Sequence, residues 1–582
     1  MSDEFWRPKE KKHDDSTNVG WREAADFARY CVSRYPRSFF GVGILSLLST
    51  ALILPVPLIS RSIVNLLVEG GGHFRQIAIL GALALAVIVF ERFVHYWQGV
   101  VIFLRCRTLI YDLRRGILEH LLAIPMLSLQ ESDPGTLGAC VYNDTEKALA
   151  AFFEELISVC RATVTVLVCV AAMAFIQWQI TILALGVIPL YVFLLRRFGR
   201  RIRSVTGGYY NAMAADRGLY HHLLAGPEIA KMHSLSYVID KYARLSAESI
   251  ASGEKLMKAH ALSNSLAGLV SNSLPIFILL FGALLIIRGV FDLGSFVAFS
   301  AFSAYMFPSL RLIVEYIISS QGGLVALHRI NELLRKDRED SSGPEHLPRG
   351  SALSLEYVSF SYPGHGRIKF QNITMRIRKG RLVGIMGESG SGKSTLLKVA
   401  CGLYGMTGGQ VLLDGRPVPS GTMRKLTSYV EQEPLIFGDT LVENIRLGRT
   451  EISTHQVFQI LEAVGLGDLL RQADARKTGE NFRLTGPYIE QGGSNLSVGQ
   501  KKRIALARAL MKDASIIAID EPTAGLDFEN AGRVMSLIRR VCAGRFVLIV
   551  SHSDQVTEYC DEVYEIKDSQ LIALSSDSAA TM

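Results

Sequence analysis

LVGIMGESGSGKSTLLKVACGL, Leu382 to Leu403, starts as an apolar run, turns through three glycines and continues with helical spacing. GESGSGKST, Gly387 to Thr395, fits GxxxxGK[ST] in the strand-turn-helix setting that this pattern requires. Glycines let backbone N–H groups face phosphate oxygens at the positive end of the following helix. On this reading Gly387, Glu388, Ser389, Gly390, Ser391, Gly392 and Thr395 wrap phosphates. Lys393 supplies a charge for the β- and γ-phosphates, and Ser394 a hydroxyl for Mg2+. Two more apolar runs, SIIAID (Ser515–Asp520) and FVLIVS (Phe546–Ser551), read as buried parallel strands. The second half is therefore an α/β nucleotide-binding domain.

SIIAIDEPT, Ser515 to Thr523, ends its strand on two carboxylates. Asp520 falls beside the water shell of a phosphate-bound metal, and Glu521 can polarise an attacking water as general base. Three single residues each have a plainer reading beside the functional one. His552 is a surface histidine, or a γ-phosphate contact at the end of the strand FVLIVS. Gln432, in YVEQEPLIFG, is a loop amide, or a sensor of Mg2+ and water. Tyr362, in SFSYPG, packs, or stacks on adenine.

Outside this domain the chain is apolar. Of its 582 residues, 49% are hydrophobic and 20% charged, which suits a membrane unit fused to a soluble one. The first half holds six apolar stretches, at about Phe39–Ile59, Ile77–Phe103, Leu156–Ile176, Ile180–Leu195, Leu262–Ile287 and Phe296–Ile313. A bilayer-spanning helix needs roughly 20 such residues. Long polar-amphipathic segments follow the second and fourth stretches, and both open with arginines: Arg105 and Arg107, then Arg196, Arg197, Arg200, Arg201 and Arg203. That asymmetry places both segments, and the N-terminus, on the cytosolic side. In LRRGILEHLLAIP, Leu113, Ile117, Leu121 and Ile124 share one helical face. The net charge of +8 is accounted for by these flanks. It is not clustered on a soluble face, so nucleic-acid binding is not expected. The eight cysteines form no CxxC pair, and neither a disulfide framework nor a zinc site is expected. The N-terminal MSDEFWRPKEKKHDDSTN has no apolar core and is not a signal peptide.

The expected organisation is a cytosolic tail and interfacial elbow helix (1–37), then a transmembrane domain (38–335). A polar linker (336–352) leads to the nucleotide-binding domain (353–582).

The order Tyr362, GESGSGKST, Gln432, LSVGQ (Leu496–Gln500), SIIAIDE, AGLD (Ala524–Asp527), His552 resembles the nucleotide-binding domain of ABC transporters from Leu353 to about Leu574. The first half resembles the six-helix membrane domain of bacterial-type exporters. GTLGACVYND (Gly135–Asp144) and LLAGPEIAKMHS (Leu223–Ser234) match the segments of the two intracellular loops. The resemblance implies a polytopic α-helical membrane domain joined to an ABC-type P-loop cassette. With one cassette per chain it implies a half-transporter that must dimerise, as a homodimer or with a second, complementary chain. ATP then lies between one chain's phosphate loop and its partner's signature. By the same resemblance Tyr362 stacks adenine, and Ser394, Gln432 and, through water, Asp520 hold Mg2+. Glu521 is the base, His552 holds the γ-phosphate and Asp527 contacts the partner cassette. Leu496, Ser497, Val498, Gly499 and Gln500 close on the partner's ATP. The implied setting is the inner or plasma membrane, multi-pass, with the cassette cytosolic.

Three positions depart from the pattern. Val498 replaces the first signature glycine, Gln491 stands where exporters commonly have glutamate, with Glu490 adjacent, and Gly525 replaces an alanine or leucine. Valine at 498 removes access to positive φ, so a working but weakened clamp is expected, with Val498→Gly raising ATPase activity modestly. The expected activity is ATP-driven export of an amphipathic or hydrophobic compound: a peptide, lipid or drug. The competing reading is a non-transport subunit that gates or regulates another membrane protein. Within the second stretch Glu91, Arg92 and His95 line a cavity, or Glu91 and Arg92 pair with Arg311 or Glu315. The aromatic residues Phe296, Phe299, Phe302, Tyr305 and Phe307 read as packing.

Overall fold

The structure, a computed structural model, describes residues 19–70, 72–132, 134–225, 231–232, 235–339, 352–363, 368–469, 486–541 and 543–574. The tail (1–18), most of the linker and part of LLAGPEIAKMHS lie outside the described residues. The chain divides into two compact units, Met1–Leu122 with Asp133–Lys336, and Ala123–Ser132 with Asp337–Met582.

The first unit is helical. It contains α1 (Val19–Arg34), α2 (Pro36–Ala51), α3 (Pro55–Glu69) and α4 (Phe74–Leu121). The next helix, α5 (Met126–Gln130), belongs to the second unit. The first unit resumes with α6 (Pro134–Ala139), α7 (Thr145–Leu149), α8 (Glu155–Ala225), α9 (Leu235–Ile287) and α10 (Leu293–Leu334). Four spans among the described residues are long and apolar enough to cross a membrane: Pro36–Glu69, Phe74–Leu121, Gly135–Ile182 and Leu293–Leu334. Helices run through all six apolar stretches. The fourth, Ile180–Leu195, continues α8 beyond a break at Gln177 (φ −158°, ψ 95°). The fifth, Leu262–Ile287, lies within α9 and ends in the apolar segment Pro275–Ile287. The first stretch is two helices, because Pro55 has no N–H to continue the ladder and so opens α3.

Leu85, Val89 and Phe93 on α4 are exposed, an apolar surface that hydrocarbon solvates and water does not. Inside, Cys169, Met173, Ile278, Phe299, Phe302 and Met306 form a buried core, with Phe296, Tyr305 and Phe307 packed against it. Those aromatics therefore pack. Gly294 lets α10 approach α3: a Cβ there would lie 2.6 Å from the Arg61 carbonyl oxygen. The amphipathic face of α4 is buried too, at Leu113, Ile117 and Leu121.

The second unit is built from β1 (Ala352–Ser361), β2 (Ile368–Arg378), β3 (Leu382–Met386), α11 (Lys393–Ala400), β4 (Gly408–Leu413) and β5 (Arg416–Pro417). Next come α12 (Ser420–Leu426), β6 (Thr427–Val430), β7 (Asp439–Thr440), α13 (Leu441–Arg446), α14 (Thr454–Ala463) and β8 (Tyr488–Ile489). It ends with α15 (Val498–Met511), β9 (Ile516–Asp520), α16 (Phe528–Val541), β10 (Phe546–Val550), α17 (Asp554–Thr557), β11 (Glu562–Lys567) and β12 (Gln570–Leu574). The main sheet has the order β12-β11-β3-β10-β9-β6 and is parallel except at β12. Every residue of β9 and β10 is buried, as continuous apolar runs require of strands covered on both faces. A second sheet, β2-β1-β4-β5, is antiparallel. Register then positions the site. Ile385 pairs with Val550 and Val550 with Asp520, so β3, β9 and β10 end side by side. Loops leaving that edge are where an open α/β sheet binds ligands.

Within the same unit α5 lies on the cassette. Leu127 packs on the core, and the Tyr404 hydroxyl donates to Gln130 Oε1 at 2.7 Å. The Glu339 N–H donates to the Ala123 carbonyl at 2.7 Å, and the Glu339 carboxylate pairs with Arg424 at 2.6 Å.

Candidate functional site

The loop after β3 takes left-handed backbone at Gly387, Gly390 and Gly392. Gly387 is obligatory sterically as well, since a Cβ there would lie 2.7 Å from the Ile566 carbonyl oxygen. Lys393, first residue of α11, is buried. Its ammonium donates to the carbonyls of Gly387 (2.7 Å) and Glu388 (2.8 Å), curling over the loop. Burial lowers its pKa below the usual lysine range, against the opposing pull of Glu521 and Asp520. Ser389 and Ser391 lie in the same turn, and Lys369 donates to the Gly390 carbonyl.

Asp520 ends β9, buried. Its Oδ1 accepts from the Ser394 hydroxyl at 3.1 Å and its Oδ2 from the Tyr429 hydroxyl at 3.4 Å. Burial raises the Asp520 pKa, partly offset by the Ser394 bond. Burial likewise pushes the Tyr429 phenol up, keeping it a donor. The Ser394 hydroxyl, the Asp520 carboxylate and the Gln432 amide oxygen are hard oxygen donors, the chemistry that Mg2+ takes.

Glu521 has φ +53°, which a residue with a Cβ adopts only when its surroundings impose it. Its backbone N–H donates to the Val550 carbonyl at 2.9 Å. One carboxylate oxygen accepts from Gln432 Nε2 at 3.1 Å, and the other lies 3.2 Å from His552 Nδ1. Gln432, Glu521 and His552, which lie 89 and 31 residues apart in sequence, are thus joined on one carboxylate. The loop after Gln432 is pinned by buried Asn444, whose side chain accepts from the Phe437 N–H (3.0 Å) and donates to its carbonyl (2.9 Å). Tyr362 joins the set differently. Its hydroxyl hydrogen-bonds Thr395 at 2.9 Å, and its ring packs edge-on to Phe360 at 5.0 Å.

Ser497 and Gln500 form a reciprocal capping box at the start of α15. Ser497 Oγ accepts from the Gln500 N–H at 3.2 Å, and Gln500 Oε1 accepts from the Ser497 N–H at 2.8 Å. Leu496 packs on the core below. Val498 is the first helical residue and lies outside the positive-φ set. The expectation that valine forfeits a needed positive φ is therefore corrected, because this backbone is helical. The positive φ sits instead at Gly525 (+78°), where a Cβ would lie 3.5 Å from Val498 Cγ1. Two departures from the family pattern are thus neighbours. Gly499 is close-packed too, its Cβ position only 2.9 Å from Leu526 Cδ2. Val498→Gly is expected to loosen the helix start by about 0.3–0.5 kcal/mol. Thermal unfolding of the purified chain would register it as a lower Tm, and an unchanged Tm would refute it. Asp527 accepts from the Asn530 N–H (2.8 Å) and from Asn530 Nδ2 (2.7 Å); these bonds hold its carboxyl below the usual range. Gln491 Oε1 accepts from the Gly438 N–H at 3.0 Å, a bond that needs only an acceptor. Glu490 bonds Ser494 instead.

In the membrane unit Arg92 pairs with its neighbour Glu91 at 2.7 Å, and Arg311 with Glu315 at 2.6 Å. The expected cross-pairing of these two couples is replaced by pairing within each helix, where the partners are closest. Across helices, His95 Nδ1 meets Arg161 Nη1 of α8 at 3.4 Å. Beside it, Gln98 is buried and donates to Ser46 Oγ at 2.8 Å. Arg161 escapes sequence reading because one arginine in the run Leu156–Ile176 barely changes its apolarity.

Comparison with known proteins bears on both units. The family model "ABC transporter transmembrane region" matches residues 39–310, and "ABC transporter" matches residues 370–524. The ATP-dependent lipid A-core flippase of Pectobacterium atrosepticum is 25% identical over 477 residues, 81% of this chain and 80% of that one. A Staphylococcus aureus protein, provisionally named a multidrug export ATP-binding/permease protein, is 24% identical over 514 residues, 86% of each chain. Among solved structures, a bacterial Atm1-family ABC exporter with ATP bound has TM-score 0.81 at 19% identity, covering 92% of this chain and 94% of that one.

Proposed function

The chain belongs to the ABC transporter family, as an exporter-type half-transporter, and we propose that it moves an amphipathic lipid with an anionic head group. It is a membrane-embedded, ATP-hydrolysing translocase that exports lipid or drug substrates. Support for the ATP site comes chiefly from one observation: Gln432 and His552 both bond the Glu521 carboxylate beside the phosphate loop.

In this reading the N–H groups of the Gly387–Thr395 loop and the Lys393 ammonium bind the phosphates, and Tyr362 carries the adenine. Ser394 and Gln432, with Asp520 through water, would hold Mg2+, which when bound neutralises phosphate charge. Glu521 takes the proton of the attacking water, oriented by Gln432, while His552 donates to the γ-phosphate. The signature Leu496–Gln500 and Asp527 face a second copy of this chain across the ATP. The cassette and N-terminus are cytosolic, and the membrane is the inner or plasma membrane. A lipid head group is favoured because Arg161 meets neutral-capable His95 across the helices, near the buried Gln98, while Glu91 is already paired by the largely exposed Arg92. A charge in that setting is costly unless it serves a partner.

Arg161→Ala tests the substrate. The half-saturating concentration of an anionic lipid in stimulating ATPase should rise about tenfold or more, as expected for loss of a charged hydrogen bond. Stimulation by a zwitterionic lipid and basal hydrolysis should stay within twofold of wild type, about 0.4 kcal/mol. Equal loss for both lipids would reject the head-group assignment.

A further inference from the structure

Lys502 is the middle residue of the basic run Lys501-Lys502-Arg503, where a solvated side chain would be ordinary. It is instead buried, on the second turn of α15. Its ammonium donates to the Glu521 carbonyl oxygen at 3.3 Å. Burial lowers its pKa, and the charges of Glu521 and Asp520 oppose that. Taking a charged group out of water is costly unless it is paired and hydrogen-bonded. The bond falls on a residue whose backbone is left-handed although it carries a Cβ, Glu521.

We infer that Lys502 is a positioning residue for the general base, holding the Glu521 carbonyl so that the strained backbone aims the carboxylate at Gln432 and His552. Glu521 is then fixed at each end. Its N–H is tied to Val550, its carboxylate lies between Gln432 and His552, and its carbonyl is tied to Lys502. The same helix touches the following loop a second time, through Val498 beside Gly525 and Gly499 beside Leu526. Helix α15 starts at the signature, so a shift of the signature against the partner's ATP is carried to the base of this chain's own site. Lys502 is the mechanical link between the two. The inference rests on the assignment of Glu521 as base and of the signature as partner-facing.

The test uses the full-length chain in lipid nanodiscs, with K502M, K502R and E521Q compared for steady-state ATPase. K502M should lower kcat about tenfold or more while KM for ATP stays within twofold, the pattern of a lost transition-state alignment. K502R, which keeps the charge and a donor, should recover kcat to within about threefold. K502M with kcat within twofold of wild type overturns the inference. So does a K502M that raises KM in step with the fall in kcat and is not rescued by arginine. If K502M does not yield folded protein, K502Q carries the same kcat and KM criteria. E521Q keeps the two assignments apart. Full turnover in E521Q removes the base reading itself, whereas an inactive E521Q beside an unaffected K502M removes only Lys502.

Discussion

Glu521→Gln should abolish turnover while leaving ATP bound. General-base catalysis contributes about 10²- to 10⁴-fold, and kcat should fall by that much. Glutamine is isosteric and can still meet Gln432 and His552, the two partners 3.1 and 3.2 Å from the carboxylate. The loop geometry should therefore survive, including the left-handed backbone fixed through Val550 and Lys502. What is lost is the capacity to accept a proton. The variant should accumulate as an ATP-bound closed dimer, seen as a shift to twice the monomer mass in ATP-containing buffer. Turnover near wild type would remove Glu521 from the role of base.

Lys393→Ala should act one step earlier, on binding. The ammonium lies over the loop on the carbonyls of Gly387 and Glu388, within reach of the space that phosphates occupy in this reading. Hydrogen bonds to a charged group are worth about 1.5–3 kcal/mol, so ATP affinity should fall roughly 10- to 100-fold. Fluorescent-nucleotide titration would measure it. The two variants separate the roles cleanly: Glu521→Gln binds without hydrolysing, and Lys393→Ala does neither at ordinary ATP concentrations. Unchanged affinity in Lys393→Ala would contradict the phosphate-loop assignment.

The cassette was legible in the sequence because its chemistry is local. A phosphate loop needs its glycines and lysine consecutive, and SIIAIDE needs its carboxylates at a strand end. Contacts made across the fold were not legible. Nothing near Tyr429 announces a bond to Asp520, 91 residues away. Lys502 stands between two charged neighbours with nothing in the sequence to set it apart, and only the packing of α15 shows it buried. Val498 and Gly525 are separate departures in the sequence, whereas in the fold the positive φ belongs to Gly525 and the side chain beside it to Val498. In the membrane unit the apolar average marks all six stretches. It did not find the break before Pro55, which depends on a single residue inside an apolar average. Arg161 was hidden for the same reason, and its meeting with His95 exists only once α4 and α8 are packed.

The central claim is that ATP hydrolysis by this chain drives an amphipathic substrate across a membrane. The direct measurement is transport in sealed proteoliposomes containing only this chain, with a fluorescent anionic lipid followed by leaflet-specific quenching. ATP-dependent movement that disappears in Glu521→Gln is the predicted result. Sustained ATP hydrolysis with no movement of the lipid, or of any amphipathic drug put in its place, would contradict the account and favour a regulatory subunit.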